Sequence, residues 1–279
     1  MTSDTIELVA FGPEHLEGAH LLSQQARWPH RLEDWRTARA LSSGLAAVSN
    51  QGNRVVGTAL MTPYGSDAAT INMVIVEEAS RGCGLGRELM DAALALAGSR
   101  ALRLVATEDG VPLYQKLGFE KTGTIAQHQG FVRSVAASAG VRPAQPADLA
   151  GIAELDRTAY GTNRANLVSH LAEIGSFAVL ERAGGLAGFA ALRPFGRGEV
   201  IGPVVAGDTD DAKALITNFL ALRDGAFVRL DTDVTTGLGP WLVEQGLAHV
   251  DGGIAMQRPV VPTSVPRFTT FALASQALG

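Results

Sequence analysis

The sequence has 279 residues, 46% of them hydrophobic, and a formal net charge of −5. This length suits two domains with sizeable cores, and the negative charge disfavours a general nucleic-acid binder, which usually carries a basic stripe. No apolar stretch is long enough to predict a membrane span, and Met1–Ala10 lacks the basic start of a signal peptide. Cys83 is the single cysteine, so no intrachain disulfide can form and we expect a cytoplasmic protein.

The first half begins with alternating strand and helix patterns. Thr5–Val9 predicts a strand, and a helix is expected to begin at Pro13. Leu45–Val48 and Val55–Leu60 predict a hairpin that turns at residues 50–53.

A strand, a glycine-dense loop and a helix follow in the middle of that half. Ile71–Val76 predicts the strand, and Arg81–Gly86 is the loop. The predicted helix then carries one apolar face, formed by Leu85, Leu89, Ala92, Ala93 and Leu96. Glycines let backbone N–H groups converge on one point, and a helix N-terminus adds further N–H groups and partial positive charge. The pattern therefore predicts a phosphate site.

Two other phosphate-binding motifs fit the loop less well. A dinucleotide fingerprint needs Gly-x-Gly-x-x-Gly and a P-loop needs Gly-Lys-Ser/Thr, whereas this loop has glycines at 82, 84 and 86 followed by Arg87-Glu88. A plain flexible connection remains the alternative to a phosphate site. Cys83 is expected to be a small residue tolerated in the loop rather than a nucleophile.

The second half repeats the first without its loop. Ser134–Gly140 predicts a linker, after which Gly188 and Gly246 echo Gly57 and Gly118 at offsets of 131 and 128 positions. Near-constant offsets predict two tandem copies of one fold. Where the second glycine loop should fall, residues 207–211 carry three aspartates, which would repel a pyrophosphate. Residues 268–273 predict a last strand.

Two motifs carry a family resemblance. Arg81-x-x-Gly84-x-Gly86 after a strand, and Tyr114-x-x-Leu117-Gly118-Phe119 downstream of it, resemble the GCN5-related N-acetyltransferases (GNAT). The whole layout resembles a bacterial tandem subgroup of that superfamily. It implies an α/β (α+β) fold with a mixed sheet in two GNAT-like domains, residues 1–134 and a degenerate copy at 141–279.

The resemblance also implies the cofactor and its contacts. Acetyl-CoA would be the acyl donor, with no metal. Its pyrophosphate would be held by the loop residues Arg81, Gly82, Cys83, Gly84, Leu85, Gly86 and Arg87. Its pantetheine arm would pair with backbone groups of Val74, Ile75 and Val76.

Direct attack of an amine on the thioester has three requirements. The resemblance assigns carbonyl stabilisation to a backbone N–H near Val74 and protonation of the thiolate to Tyr114, whose phenol stays protonated at pH 7. The amine must also lose a proton, and the candidates for that step are Glu77, Glu108, Asp109, His30, His128 and water. A non-catalytic acyl-CoA-binding module or sensor is the alternative function.

The acceptor amine, a small molecule or a protein, is expected to contact an unusual segment after the first helix. That segment holds Trp28, His30, Arg31, Asp34 and Trp35. Tryptophan rings bind cations, and the two opposite charges would suit an amino-acid-like or zwitterionic amine. The alternative is structural: the tryptophans pin a helix to the core and Asp34 caps it.

Overall fold

The structure, a computed structural model, describes residues 5–50, 54–182, 184–260 and 267–279. These residues form two compact units, 1–104 and 105–279. Both units combine helices with parallel and antiparallel strands, which confirms the α/β class with a mixed sheet. Most of the predicted hairpin turn, residues 51–53, lies outside the described residues. No helix in the described ranges is long and apolar enough to cross a membrane.

The described residues of the first unit form a five-stranded sheet with three helices. In the order β1-β2-β3-β4-β5, the neighbouring strands are antiparallel except for the last pair, which is parallel. The strands are β1 (Ile6–Ala10), β2 (Ser43–Ser49), β3 (Arg54–Tyr64), β4 (Ala68–Val76) and β5 (Ala101–Ala106), whose last two residues belong to the second unit, and the helices are α1 (Leu16–Gln25), α2 (Leu32–Leu41) and α3 (Leu85–Ala97).

The buried face of α3 differs in part from the predicted one. Leu85, Leu89 and Ala93 are buried as expected, and the stripe continues in steps of four to Ala97 with Met90 beside it. Leu96 is 43% exposed, so the prediction that it faces the core was wrong. Residues four apart lie on one side of a helix. The buried row consists of residues 85, 89, 93 and 97, and Leu96 does not belong to it.

Among its described residues, the second unit contains eight strands and five helices. Seven strands follow the order β12-β6-β11-β10-β9-β8-β7, and β13 pairs with β10. The strands are β6 (Glu120–Phe131), β7 (Val141–Pro143), β8 (Ser176–Arg182), β9 (Gly185–Phe195), β10 (Gly198–Ala206), β11 (Phe227–Asp233), β12 (Ala248–Arg258) and β13 (Thr269–Ala272), and the helices are α4 (Val111–Lys116), α5 (Leu149–Tyr160), α6 (Ala165–Ile174), α7 (Thr209–Ala221) and α8 (Gly239–Glu244).

Strand β6 explains why the compact units divide where they do. His128 in β6 pairs with Leu230 of β11 on one side and with His249 of β12 on the other. The predicted linker, Ser134–Gly140, contains no helix or strand, yet the chain upstream of it is tied by two ladders to strands far downstream. The compact units therefore do not divide at the predicted linker. Their boundary lies upstream of β6, between Leu104 and Val105. The domain limits 1–134 and 141–279 describe the sequence repeat, and they stay a prediction.

Both units carry a β-bulge at an equivalent point. The β3–β4 register shifts between Thr58 and Leu60, so that Met73 and Val74 together oppose one residue of β3. The β9–β10 register shifts between Ile201 and Val204, which places Gly202 and Pro203 at the second bulge. These bulges are 129 positions apart, which matches the offsets of the predicted repeat.

Candidate active site

The bulge in β4 forms the first part of the site. Met73 has a positive φ of 49°, which is uncommon for a residue with a side chain. The Thr58 hydroxyl donates to the Met73 carbonyl oxygen at 2.6 Å and holds that turn of the backbone in place. A bulge leaves its extra residue outside the regular ladder. The neighbouring Val74 thus lies where the ladder is interrupted, which is the position that the resemblance assigns to carbonyl stabilisation.

The glycine loop forms the second part. Gly82 and Gly84 have φ of 81° and 94°, and a Cβ atom at either position would meet nothing within 4 Å. Both residues are exposed. Gly84 is the N-cap of α3, and no side chain caps it. The first N–H groups of the helix have no partner within the helix, so the loop presents an open and positively polarised backbone surface that suits an anion.

The two arginines that flank the loop are engaged differently. Arg81 donates from Nε to the Val76 carbonyl oxygen at 3.1 Å, which fixes the loop to the end of β4. Arg87 pairs with Asp91 one turn further along α3, at 2.9 Å. Part of the positive charge expected from Arg87 is therefore balanced within the helix. The Cys83 thiol is exposed and contacts the Ser80 carbonyl oxygen at 3.1 Å.

A cavity of about 420 Å³ opens at the end of β4 in the first unit. It is lined by Leu22, Gln25, Ala26, Ile75, Val76, Glu77, Glu78, Ala79 and Arg81. Three predicted cofactor residues, Ile75, Val76 and Arg81, thus line the same cavity as the end of α1. The α1 residues were missed from the sequence, although their spacing at 22, 25 and 26 places them on one helix face.

Glu77 is the most enclosed of the acidic residues in that cavity. Its side chain is 13% exposed, and its Oε1 forms an ion pair with Arg54. Its Oε2 is buried and has no hydrogen-bond partner among the described residues. A buried carboxylate oxygen without a partner is costly unless it serves a ligand or a water. The cavity therefore offers an acceptor for a proton or for an ammonium group.

The other candidate bases are less suited. Glu108 and Asp109 are exposed in a short 3₁₀ turn of the second unit. The His128 ring is 3% exposed, contacts the Leu247 carbonyl oxygen through Nδ1 at 3.0 Å, and packs against His249. His30 is half-buried and packs against Trp28.

Tyr114 lies in the second unit, on the short helix α4. The side chain is 8% exposed and packs edge-on against Phe119. Burial raises the pKa of Tyr114 to about 12, because the charged phenolate is disfavoured away from water. The phenol is therefore protonated at neutral pH, as both a proton donor and a core tyrosine require.

The five residues predicted to contact the acceptor fall into two groups in the structure, buried and half-buried. Trp35 is 0% exposed, donates from Nε1 to the Ser23 hydroxyl at 3.1 Å and stacks on Phe11, so it joins α2 to the core. Asp34 is buried and accepts from the backbone N–H of Arg31 at 2.8 Å. The same carboxylate pairs with the Arg31 guanidinium and raises the pKa of Arg31.

These contacts give Trp35 and Asp34 structural roles at the start of α2. Trp28, His30 and Arg31 are half-buried and keep accessible surface. None of the five residues lines the cavity at the end of β4. Within the described residues, no three His, Cys, Asp or Glu side chains group into a metal site.

Comparison with protein-family models decides the family. Two models described as acetyltransferase (GNAT) domains match the chain, one over residues 42–121 and the other over residues 152–267. Together they match well over half of the sequence. The chain belongs to the GNAT superfamily, as a tandem member. This match confirms the predicted family, and the protein is an acetyltransferase. Enzymes of this superfamily use acetyl-CoA as the acetyl donor.

Several relatives match this tandem acetyltransferase along almost its whole length. The uncharacterized N-acetyltransferase YitH of Bacillus subtilis is 26% identical over 98% of both chains. The structure of a putative acetyltransferase from Pyrococcus horikoshii matches with a TM-score of 0.80 at 17% identity, over 98% of this chain and 96% of that one. A tandem GNAT protein from the clavulanic acid biosynthesis pathway matches with a TM-score of 0.60 at 18% identity, over 93% and 100% of the two chains.

Proposed function

We propose that this acetyltransferase transfers an acetyl group from acetyl-CoA directly to an amine, with a single cofactor site in the first unit. The observation that carries the proposal is the arrangement around β4. One strand carries the bulge at Met73–Val74 and ends beside a loop with two left-handed, unobstructed glycines. The loop would bind the pyrophosphate, and the bulge would receive the thioester.

The chemistry follows from the charges that must move. The amine nitrogen forms a bond to the thioester carbon, and negative charge develops on the carbonyl oxygen, where a backbone N–H at Val74 would donate. The C–S bond then breaks. We assign protonation of the leaving thiolate to Tyr114, on the strength of its motif and its protonated phenol. The proton lost by the amine is assigned to Glu77, directly or through a water, because Glu77 Oε2 has no other partner among the described residues.

The acceptor is proposed to approach through the cavity at the end of β4. Glu77, Glu78 and Arg81 line it, and Arg54 balances the charge of Glu77. The Glu77 Oε2, which has no partner among the described residues, would accept an N–H of the amine before the proton is lost. Trp28, His30 and Arg31 keep accessible surface, and they are proposed to form the outer part of the acceptor site. Asp34 and Trp35 are proposed to stabilise the start of α2.

The experiment has two parts. Mass spectrometry of ligand carried through purification identifies the acyl group, and release of free CoA is then followed with a panel of small and peptidyl amines. Turnover with any amine supports the transferase. Tight acetyl-CoA binding without turnover on the whole panel would favour the non-catalytic module instead.

Glu77 is tested by Glu77→Gln, with Glu78→Gln as the matched control from the same cavity. Loss of a general base lowers kcat by about 10²–10⁴-fold, and the loss should be largest where the amine is mostly protonated. If both variants keep the wild-type pH profile, Glu77 is not the base and water or another group takes the proton.

A further inference from the structure

Residues 267–279, here called the tail segment, run between β10 and β11 of the second unit. On one side β13 pairs antiparallel with β10, with Val205 opposite Thr270. On the other side the Leu273 N–H donates to the Asp231 carbonyl oxygen of β11 at 2.9 Å. The tail segment is thus hydrogen-bonded to both strands.

The cleft exists because β10 and β11 separate. In the described part of the chain they pair in parallel at Glu199–Val200 and Val228–Arg229, and the bulge of β10 follows directly. The first unit has the same arrangement, since β4 and β5 pair over Ala68–Thr70 before the bulge of β4. Separated strands leave backbone N–H and C=O groups that need partners. In the second unit, the tail segment supplies them.

The fit of the tail segment is close. A Cβ atom on Gly202 would lie 1.9 Å from the Leu273 carbonyl oxygen, so only glycine allows this approach. The Thr232 hydroxyl donates to the Phe271 carbonyl oxygen at 2.6 Å. The buried residues of the tail segment are Phe271, Ala272, Ala274, Ser275, Leu278 and Gly279. Leaving the cleft would expose most of this apolar surface to water.

Two buried arginines bind backbone oxygens of the tail segment. Arg164 is 1% exposed, pairs with Asp156 at 2.6 Å, and donates from Nη1 to the Gly279 carbonyl oxygen at 2.8 Å. Arg193 is 2% exposed and donates from Nη2 to the Ala274 carbonyl oxygen at 3.1 Å. Hydrogen bonds from charged donors are stronger than those between neutral groups. They also recognise the peptide main chain independently of its side chains.

We propose that this cleft is a binding site for an extended peptide strand, and that the tail segment is its ligand. The same features disfavour acyl-CoA there. Pro203 stands at the bulge position that Val74 occupies in the first unit, and proline has no N–H to donate. The following helix, α7, begins with Asp208 as its N-cap, which accepts from the Asp211 N–H at 2.8 Å. A side chain thus fills the place where an open helix N-terminus would meet a phosphate.

The test uses the full chain with a protease recognition sequence in place of residues 261–266. After cleavage, native mass spectrometry and size exclusion should show that the tail segment stays bound. A fluorescent synthetic peptide of residues 267–279 should exchange into the cleaved protein, and a scrambled peptide of equal composition should not. Excess CoA should leave the labelled peptide in place, because CoA is expected to bind only in the first unit.

Two glycine variants sharpen the result. Gly202→Ala places a Cβ against the Leu273 carbonyl oxygen, whereas Gly207→Ala, one residue beyond β10, meets nothing within 4 Å. Overpacking of this kind should weaken peptide binding by about 10–100-fold in Gly202→Ala and leave Gly207→Ala unchanged. Should Gly202→Ala fail to fold, the exchange experiment on the cleaved wild-type chain decides alone. Immediate loss of the tail segment, binding of the scrambled peptide, or displacement by CoA would overturn the proposal.

Discussion

Gly84→Ala separates the backbone role of the glycine loop from its proposed role in phosphate binding. Gly84 has φ 94° and ψ −10°, and a Cβ there meets no atom within 4 Å. The free protein should therefore lose only the cost of a left-handed alanine, about 1–2 kcal/mol in the free energy of unfolding. A bound pyrophosphate, however, would meet the new methyl group and withdraw from the loop. Loss of one charge-assisted hydrogen bond, about 1.5–3 kcal/mol, corresponds to an affinity roughly 10–100-fold weaker.

The matched control is Gly237→Ala in the second unit. Gly237 has φ 72° and ψ 7°, and a Cβ there also meets nothing within 4 Å. Chemical denaturation should show similar destabilisation for both variants, while calorimetry with CoA should show weaker binding for Gly84→Ala alone. Gly84→Asp, which adds a negative charge, should abolish binding. Equal CoA affinity in Gly84→Ala and wild type would refute the assignment of the loop to the pyrophosphate.

Three further predictions concern the rest of the molecule. Tyr114→Phe should lower kcat by about 10²–10⁴-fold without changing acetyl-CoA affinity. The pKa of Tyr114 is raised to about 12 in the folded protein from about 10 in the unfolded chain. The protonated phenol therefore adds to the free energy of unfolding fully below pH 10, and this contribution is lost as the pH rises towards 12. Tyr114→Phe should lose less stability than wild type over that pH range. A chain ending at Ala139 lacks β11 and β12, which flank β6, and should be insoluble or inactive; a soluble, fully active monomer would contradict this. Asp34→Ala should lower the free energy of unfolding by about 1.5–3 kcal/mol, because its buried carboxylate accepts from the Arg31 backbone N–H and pairs with the Arg31 guanidinium, with acceptor KM unchanged. Glu33→Ala, on the exposed side of the same turn, is the control, and a raised KM in Asp34→Ala alone would return Asp34 to the acceptor site.

Local patterns in the sequence predicted the elements around the glycine loop. Strand, loop and helix each depend on residues close together in the chain, so apolar periodicity and glycine spacing were enough to find β4 and α3. The bulge was missed because Met73 and Val74 look like ordinary strand residues. Its position depends on the register with β3, which the sequence of β4 alone does not specify.

Non-local pairings were the other part that sequence reasoning missed. Nothing in Glu120–Phe131 indicates that this strand pairs with two strands about a hundred residues or more downstream. The loss of the glycine loop in the second half was visible from composition. The replacement of an N–H donor by Pro203 was not, because it requires the bulge at Gly202–Pro203 to be aligned with the bulge in β4.

β4 and β10 each pair with a parallel neighbour over only two or three residues, and hydrogen exchange can show what satisfies their remaining backbone groups. Separated strands must satisfy their backbone groups with water, a ligand or another strand. In the second unit the tail segment belongs to the same chain and pairs with β10. The amides of Val204–Ala206 should therefore be protected from hydrogen exchange with or without the cofactor. In the first unit a bound cofactor stabilises the folded state by about 2.7 kcal/mol at a concentration of 100 Kd. Amides of Ile71–Val76 should therefore exchange more slowly when CoA is added, while those of Val204–Ala206 keep their rates. If exchange slows at both strands, CoA also enters the cleft between β10 and β11. If it slows at neither strand, the cofactor binds away from β4.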